Sequence, residues 1–130
     1  MANARTTALG FSVTMMLCLV VGDLMRARLM RDILDHEGVD WVALIGPDAL
    51  PIDFVPTDLD VHSAAAMWVG LDSLVEDTPA RMMVRTRDAI MLSHRVDEDR
   101  LLLISTELGS NIGMLRTVLQ EAAQRIIDLP

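Results

Sequence analysis

The chain has 130 residues, a formal net charge of −8 and a hydrophobic fraction of 52%, with only 3% aromatic residues. This length is typical of one domain whose core forms without disulfides or a metal. An acidic surface repels phosphate groups, so we expect no nucleic-acid partner and little attraction to an anionic membrane surface.

The basic and sulfur-containing residues exclude several kinds of chemistry. Every basic residue besides His is Arg, so neither a Schiff-base lysine nor a phosphate-loop lysine is available. Cys18 is the one cysteine, so the chain has neither an internal disulfide nor a cysteine cluster for zinc. We therefore expect a cytoplasmic protein without a metal or another cofactor.

The N-terminal segment contains an uncharged, apolar stretch over residues 8–21. A transmembrane helix needs about 20 apolar residues, and this stretch is shorter. It also lacks the A-x-A cleavage site of a secretory signal. Three interpretations stay open: an extension that packs on the domain or covers a partner surface, a start assigned too early, or a targeting segment. We assign residues 1–22 to an apolar extension and residues 23–130 to one domain.

The next elements are a helix and a pair of strands. Residues 23–37 have apolar positions at helical spacing, with Asp23 as the predicted N-cap and Gly38 as the residue that ends the helix. Residues 39–46 are mostly apolar on both faces, which is typical of a central strand. Residues 50–55 follow after a short turn, so the two strands are antiparallel. Proline at the second position of this strand predicts an edge strand.

Residues 61–75 form a predicted helix with two adjoining apolar stripes, entered through Thr57 and Asp60 at capping-box spacing. One stripe contains Val61, Ala65, Trp68 and Val75, and the other contains Ala64, Met67, Leu71 and Leu74. A helix on the surface of a sheet needs one such stripe for its core. The second stripe therefore predicts a partner, and the small alanines permit another helix to approach closely.

Three predicted strands follow at residues 80–86, 89–96 and 100–106, and short turns join them into a meander. In the first of them, Met82 and Val84 alternate with Arg81, Met83 and Arg85. The last is apolar on both faces. A final helix begins after Ser110, the predicted N-cap, and carries one apolar stripe.

This order predicts an α+β fold with three layers, α/β/α. The elements run helix, strand, strand, helix, strand, strand, strand, helix. Strands that are apolar on both faces belong in the middle of the sheet, so the first and fifth strands are neighbours. The predicted five-stranded antiparallel sheet has the order 2-1-5-4-3, with an extra apolar segment at the N-terminus.

Three segments between Leu24 and Leu129 resemble the Roadblock domain of the dynein light-chain and small-GTPase-regulator superfamily. Residues 38–52, GVDWVALIGPDALPI, are similar to a family pattern in which an apolar strand leads into D-G-L-P-I. Ala49 replaces the glycine of that turn, so we expect a turn without a positive φ. The helix HSAAAMWVGLDSL resembles the family's dimer helix, and Asn111, Gly113 and Leu115 fit its N-x-G-x-apolar helix start.

The resemblance implies a non-catalytic regulatory or scaffolding protein that forms a homodimer, or a heterodimer with another Roadblock chain. In this family the central helices pair and the third strands meet edge to edge. Such dimers bind partners that include small Ras-like GTPases, and some bacterial relatives stimulate GTP hydrolysis by a gliding-motility GTPase. The candidate interface residues of this chain are Ala64, Met67, Trp68, Leu71, Leu74, Met83 and Arg85.

No residue pattern predicts catalysis, and we do not expect an enzyme. The histidines His36, His62 and His94 lack the spacing of metal ligands, and the acidic run at residues 97–99 is typical of a solvated turn. The serines lie in no nucleophile motif. Arg81, Arg85 and Arg87 cluster near the third strand, where edge protection, dimer salt bridges and a partner-facing patch stay open as roles.

Two other functions remain as alternatives. A small-molecule-sensing α/β/α domain would need a pocket of about 300 Å³ or more under the central helix. A membrane-tethered adaptor would use residues 1–22 as its anchor.

Overall fold

In a computed structural model of the protein, residues 20–57, 61–73 and 80–129 form three helices and a five-stranded antiparallel sheet. Helix α1 covers residues 20–34, and α2 and α3 cover His62–Ser73 and Ile112–Ile127. The strands are β1 (Val39–Ile45), β2 (Pro51–Val55), β3 (Arg81–Arg85), β4 (Ala89–Arg95) and β5 (Leu101–Glu107). The strand order β2-β1-β5-β4-β3 confirms the predicted sheet and fold class.

Some predictions fall on residues that this structure does not describe. They are residues 1–19 of the apolar extension, the cap residue Asp60, and Leu74 and Val75 at the end of the predicted central helix. Residues 20–22, which the sequence placed in the extension, lie in the same helix as residues 23–34. Within the described ranges, no helix combines the length and the hydropathy needed to cross a membrane.

The sheet separates two apolar cores. On one face, side chains of β1 and β5 such as Val42 and Leu102 pack with α1 and α3. On the other face, Ala43 and Leu103 pack with α2. Neighbouring residues of one strand therefore serve opposite cores, as the period of two in a strand requires. Both central strands are buried on both faces, which confirms the three-layer arrangement.

The helix ends differ from the sequence predictions. Asn111, not Ser110, is the N-cap of α3, since its side chain accepts a hydrogen bond from the Met114 N–H at 3.2 Å. The Ser110 hydroxyl instead donates to the Glu107 carbonyl. Asp23 is not an N-cap either, because α1 is already helical at residues 20–22. The Asp23 carboxylate pairs with Arg26 at 2.9 Å, one turn further along the helix.

The connection from α1 to β1 requires glycine at position 38. Helix α1 ends at residue 34, earlier than predicted, and a turn carries the chain to β1. Gly38 has a φ of 90°, and a Cβ atom added there would collide with the Ser110 hydroxyl. The Gly38 carbonyl also accepts a hydrogen bond from the Glu107 N–H at 2.8 Å, which fixes the turn against the end of β5.

The two edges of the sheet are different. Strand β2 is an edge strand, as Pro51 predicted, and the register between β1 and β2 shifts at Leu44/Ile45. Strand β3 forms the other edge and pairs with β4 along its whole length, from Arg81 opposite His94 to Arg85 opposite Ile90. Its second side pairs with no strand among the described residues.

The turn between β1 and β2 corrects a prediction. Ala49 has a φ of 62°, so the chain enters the left-handed region at the position where the resembling family has glycine. The turn is held by two backbone hydrogen bonds, from the Ala49 N–H to the Gly46 carbonyl and from the Gly46 N–H to the Leu50 carbonyl. An alanine at this position therefore occupies a conformation that glycine adopts without strain.

We expect Ala49→Gly to raise the free energy of unfolding by about 1 kcal/mol, because glycine adopts a positive φ without steric cost. Urea denaturation measures the change. Ala66→Gly is the matched control, since Ala66 is exposed on a helix and the same substitution there costs about 1 kcal/mol. A loss of stability in Ala49→Gly would contradict the strained turn.

Candidate interaction surface

The inner face of α2 is anchored by Trp68. Its side chain is completely buried and packs in the core formed by β1, β4 and β5, together with Val61 and Ala65. The indole Nε1 has no hydrogen-bond partner there. Trp68 is one of the predicted interface residues, but the structure places its side chain inside one chain, with no surface exposed to a partner.

Among the side chains that the structure describes, the outer face of α2 carries no charged group and is made mostly of small residues. Its exposed members are Ser63, Ala66, Met67, Gly70 and Ser73, which we call the α2 face. Met67 is 44% exposed, and a Cβ atom added to Gly70 would touch nothing within 4 Å. Of the other predicted interface residues on this helix, Ala64 and Leu71 lie half-buried beside the face.

The remaining candidates, Met83 and Arg85, lie on the other side of the sheet. Side chains of β3 alternate, as predicted: Met82 and Val84 pack into the α2 core, while Met83 is 50% exposed and Arg85 is exposed. The structure therefore brings Ala64, Met67 and Leu71 together on α2. It separates them from Met83 and Arg85 by the thickness of the sheet.

A groove of about 300 Å³ lies between β3 and α3. We call it the arginine groove; the side chains that define it are Arg81, Met83, Leu92, His94, Arg116 and Leu119. A guanidinium nitrogen of Arg116 approaches the Met83 sulfur at 3.7 Å, which joins the helix to the edge strand. The sequence does not predict this contact, because no local pattern shows which strand a helix residue will face.

His94 lies in this groove opposite Arg81. Partial burial lowers the pKa of His94 from its ordinary value, and the positive charge of Arg81 lowers it further. Because the folded pKa is below that of the unfolded chain, protonation favours unfolding. The contribution of His94 to stability is therefore lost as the pH falls below about 6.5.

We expect Arg81→Gln to raise the pKa of His94, because it removes one of the two causes of the depression. The pKa should stay below the ordinary value, since burial is the larger cause. Titration of the imidazole protons by NMR measures it. Arg85→Gln is the control, because Arg85 pairs with Ile90 at the far end of β3 and should leave the pKa nearly unchanged. An equal rise of the His94 pKa in both variants would contradict the assignment of Arg81 as a specific cause of the lowered pKa.

The acidic run at residues 97–99 forms a closed hairpin turn. The Asp97 carboxylate accepts hydrogen bonds from the backbone N–H groups of Asp99 and Arg100, and from the Arg100 guanidinium at 2.9 Å. These hydrogen bonds lower the pKa of Asp97, and the bond from the Arg100 side chain has the largest effect. Within the described ranges, no three His, Cys, Asp or Glu side chains are grouped as metal ligands would be.

Trp68→Ala should lower the free energy of unfolding by about 3–5 kcal/mol, because it removes a fully buried side chain from the core of one chain. Urea denaturation at two protein concentrations tests this, and the loss should appear at both. Met67→Ala, on the adjacent exposed position, should change the stability of the single chain by less than about 0.5 kcal/mol. Equal losses in the two variants would contradict the opposite placement of the two side chains.

No protein-family model matches the sequence, and no curated protein is similar to it at a significant level. The fold, in contrast, matches solved structures. A Roadblock/LC7 domain from Streptomyces avermitilis aligns with a TM-score of 0.69 at 15% identity, covering 75% of this chain and 91% of that one.

Two structures of MglB align almost as closely, each with a TM-score of 0.67 at 12% identity. One has a tetrameric arrangement and covers 81% of this chain, and the other is the gliding protein from Thermus thermophilus and covers 80%. In both cases 87% of the other chain is covered. A chain of the complex between LokiProfilin2 and rabbit actin aligns with a TM-score of 0.60 at 17% identity, over 80% of this chain and 96% of its own.

The protein therefore has the fold of Roadblock/LC7 domains, which confirms the fold that the resemblance in the sequence implied. At identities of 12–17% the likeness concerns the fold. One of the matched structures is a complex with actin, and likeness of fold alone identifies no partner of this chain.

Proposed function

We propose that this protein is a non-catalytic, cytoplasmic regulatory or scaffolding dimer that binds a small Ras-like GTPase. The observation that carries the proposal is the uncharged α2 face on a helix whose other face is already buried. The Roadblock fold, shared with MglB, supports the choice of partner class.

The α2 face has the chemistry of a helix–helix contact. Ser63, Ala66, Gly70 and Ser73 are small, so a second helix can approach closely, and Met67 supplies an adaptable apolar side chain at the centre. In the proposed dimer, α2 packs against α2 of a second copy. Ala64 and Leu71 would border this contact. Leu74, which lies outside the described residues, stays a proposed member of the contact on the basis of the sequence alone.

The open edge of β3 supports the same assembly. An unpaired edge strand offers backbone N–H and carbonyl groups to another strand. Pairing of β3 with β3 of a second copy would continue the sheet through both chains. Met83 and Arg85 would then lie at the junction, on the face opposite α2. A second Roadblock chain of different sequence would use the same edge in a heterodimer.

The structure favours this proposal over the small-molecule sensor. Between α2 and the sheet, side chains of both elements pack into one core around the buried Trp68. Around the described residues, cavities of about 200–530 Å³ lie along α1 and α3, and one of about 700 Å³ lies beside Ala80 and the β4–β5 turn. The membrane-tethered adaptor stays an alternative, since it depends on residues 1–22. We propose these residues as an extension to the domain of residues 23–130, with residues 20–22 continuing into helix α1.

Light scattering across a concentration series tests the dimer. We expect a solution mass of about twice 14.4 kDa for the unmodified protein. Met67→Glu places a charge in the α2 face and should return the mass to that of one chain, because an unpaired charge is costly to bury in an interface. Met114→Glu makes the same change at an exposed position of α3 and should stay dimeric. A monomeric unmodified protein would overturn the dimer.

Binding to GTPases tests the partner. The small Ras-like GTPases of the source organism, each loaded with GDP or a non-hydrolysable GTP analogue, are immobilised and exposed to the full chain. We expect at least one of these GTPases to bind the chain. Met67→Glu should weaken this binding, and Met114→Glu should leave it unchanged. Absence of binding to every GTPase in both nucleotide states would reject this partner class while leaving the dimer standing.

A further inference from the structure

We propose that the arginine groove binds an acidic segment of a partner protein, in extended conformation, with two carboxylates on either side of an apolar side chain. This surface lies on the opposite side of the sheet from the α2 face. The residues that line it come from one chain, so the proposal does not require the proposed dimer.

The groove exists because no helix of the described residues covers β3 on this side of the sheet. Helix α3 packs over β4 and β5, with Leu119 buried in the core and Leu92 of β4 beneath it. Met83 pairs with Leu92 in the sheet, yet it stays 50% exposed. Helix α3 therefore forms one side of the arginine groove, and the exposed side chains of β3 form its base.

The positive charges at the arginine groove are not neutralised by ion pairs with other described residues. No carboxylate of the described residues forms an ion pair with Arg81, Arg85 or Arg116. Arg26 and Arg100, in contrast, are paired with Asp23 and Asp97. Arg81 and Arg116 line the groove, and Arg85 lies beyond it on the same exposed face of β3. In a chain with a net charge of −8, these guanidinium groups form a local positive site. Guanidinium groups bind carboxylates in paired hydrogen bonds, so an acidic ligand fits them.

The spacing along β3 defines the order of side chains in the ligand. Arg81, Met83 and Arg85 are alternate residues of one strand and lie on one face, with about 13 Å between the first and the third. An extended peptide has the same period. Carboxylates at its first and fifth positions would therefore reach the two arginines, and an apolar residue at its third position would contact Met83. Arg116 lies beside Met83 and would hold either carboxylate from above.

A ligand in the groove would also reduce a charge repulsion in the proposed dimer. If two copies of β3 paired in antiparallel fashion around Met83, Arg81 of one copy would face Arg85 of the other. Like charges placed opposite each other on neighbouring strands are destabilising. An acidic segment across the junction would supply the missing negative charge, so its binding and dimer formation would support each other.

Fluorescence anisotropy on the full chain at low ionic strength tests the proposal. The probe is a fluorescein-labelled peptide with the core Glu-Ser-Leu-Ser-Glu, and its comparison is the peptide with Gln in place of both Glu. We expect the acidic peptide to bind and the Gln peptide to bind at least about tenfold more weakly. Arg116→Glu and Arg81→Glu should each weaken binding of the acidic peptide by about tenfold or more.

The matched control is Arg125→Glu, which makes the same charge change on an exposed part of α3 near α1. It should alter the affinity less than about twofold. Arg116→Gln provides a milder variant, and thermal unfolding shows that each variant is folded. Equal weakening by Arg125→Glu and Arg116→Glu, or no binding of the acidic peptide, would overturn the proposal. Inorganic phosphate and unlabelled acidic peptide are also compared as competitors of the labelled peptide. If phosphate displaces the labelled peptide at the same concentration as the unlabelled peptide does, the groove is a site for small anions and the proposal is overturned.

Discussion

The fold depends on the burial of both faces of the β1–β5 pair. Val42 and Leu102 require a helical layer on one side, and Ala43 and Leu103 require another on the opposite side. Because apolar surface has to be covered on both faces, a two-layer fold would leave one row of these residues in water. The positions of α2, and of the α1–α3 pair, follow from this requirement. So do the two surfaces on which the functional proposals rest.

Those features of the fold that arise from periodicity were predictable from the sequence. The two strands that are apolar on both faces indicated the centre of the sheet, and Pro51 indicated an edge, since proline has no N–H to donate. The alternation of Met82 and Val84 with Met83 gave the correct faces of β3. These signals are local, and each has one dominant physical cause.

The failures concern choices between residues of similar chemistry or contacts that are distant in the chain. Ser110 and Asn111 are both good N-caps, and the structure uses Asn111 because the Ser110 hydroxyl is bonded to Glu107. Trp68 and Met67 are neighbours on adjoining apolar stripes, so the pattern alone did not show which one faces the sheet. The approach of Arg116 to Met83 joins residues 33 positions apart, and no sequence spacing encodes it.

The difference between the two sheet edges has a consequence for the size of any assembly. Strand β2 carries a proline and a shifted register at its pairing with β1, while β3 is regular throughout. A chain with two regular edges can add neighbours indefinitely and grow into a fibre. In the proposed dimer, pairing through β3 would use the one regular edge of each copy. The combined ten-stranded sheet would then end in a β2 edge on both sides, and growth would stop at a closed, two-fold particle.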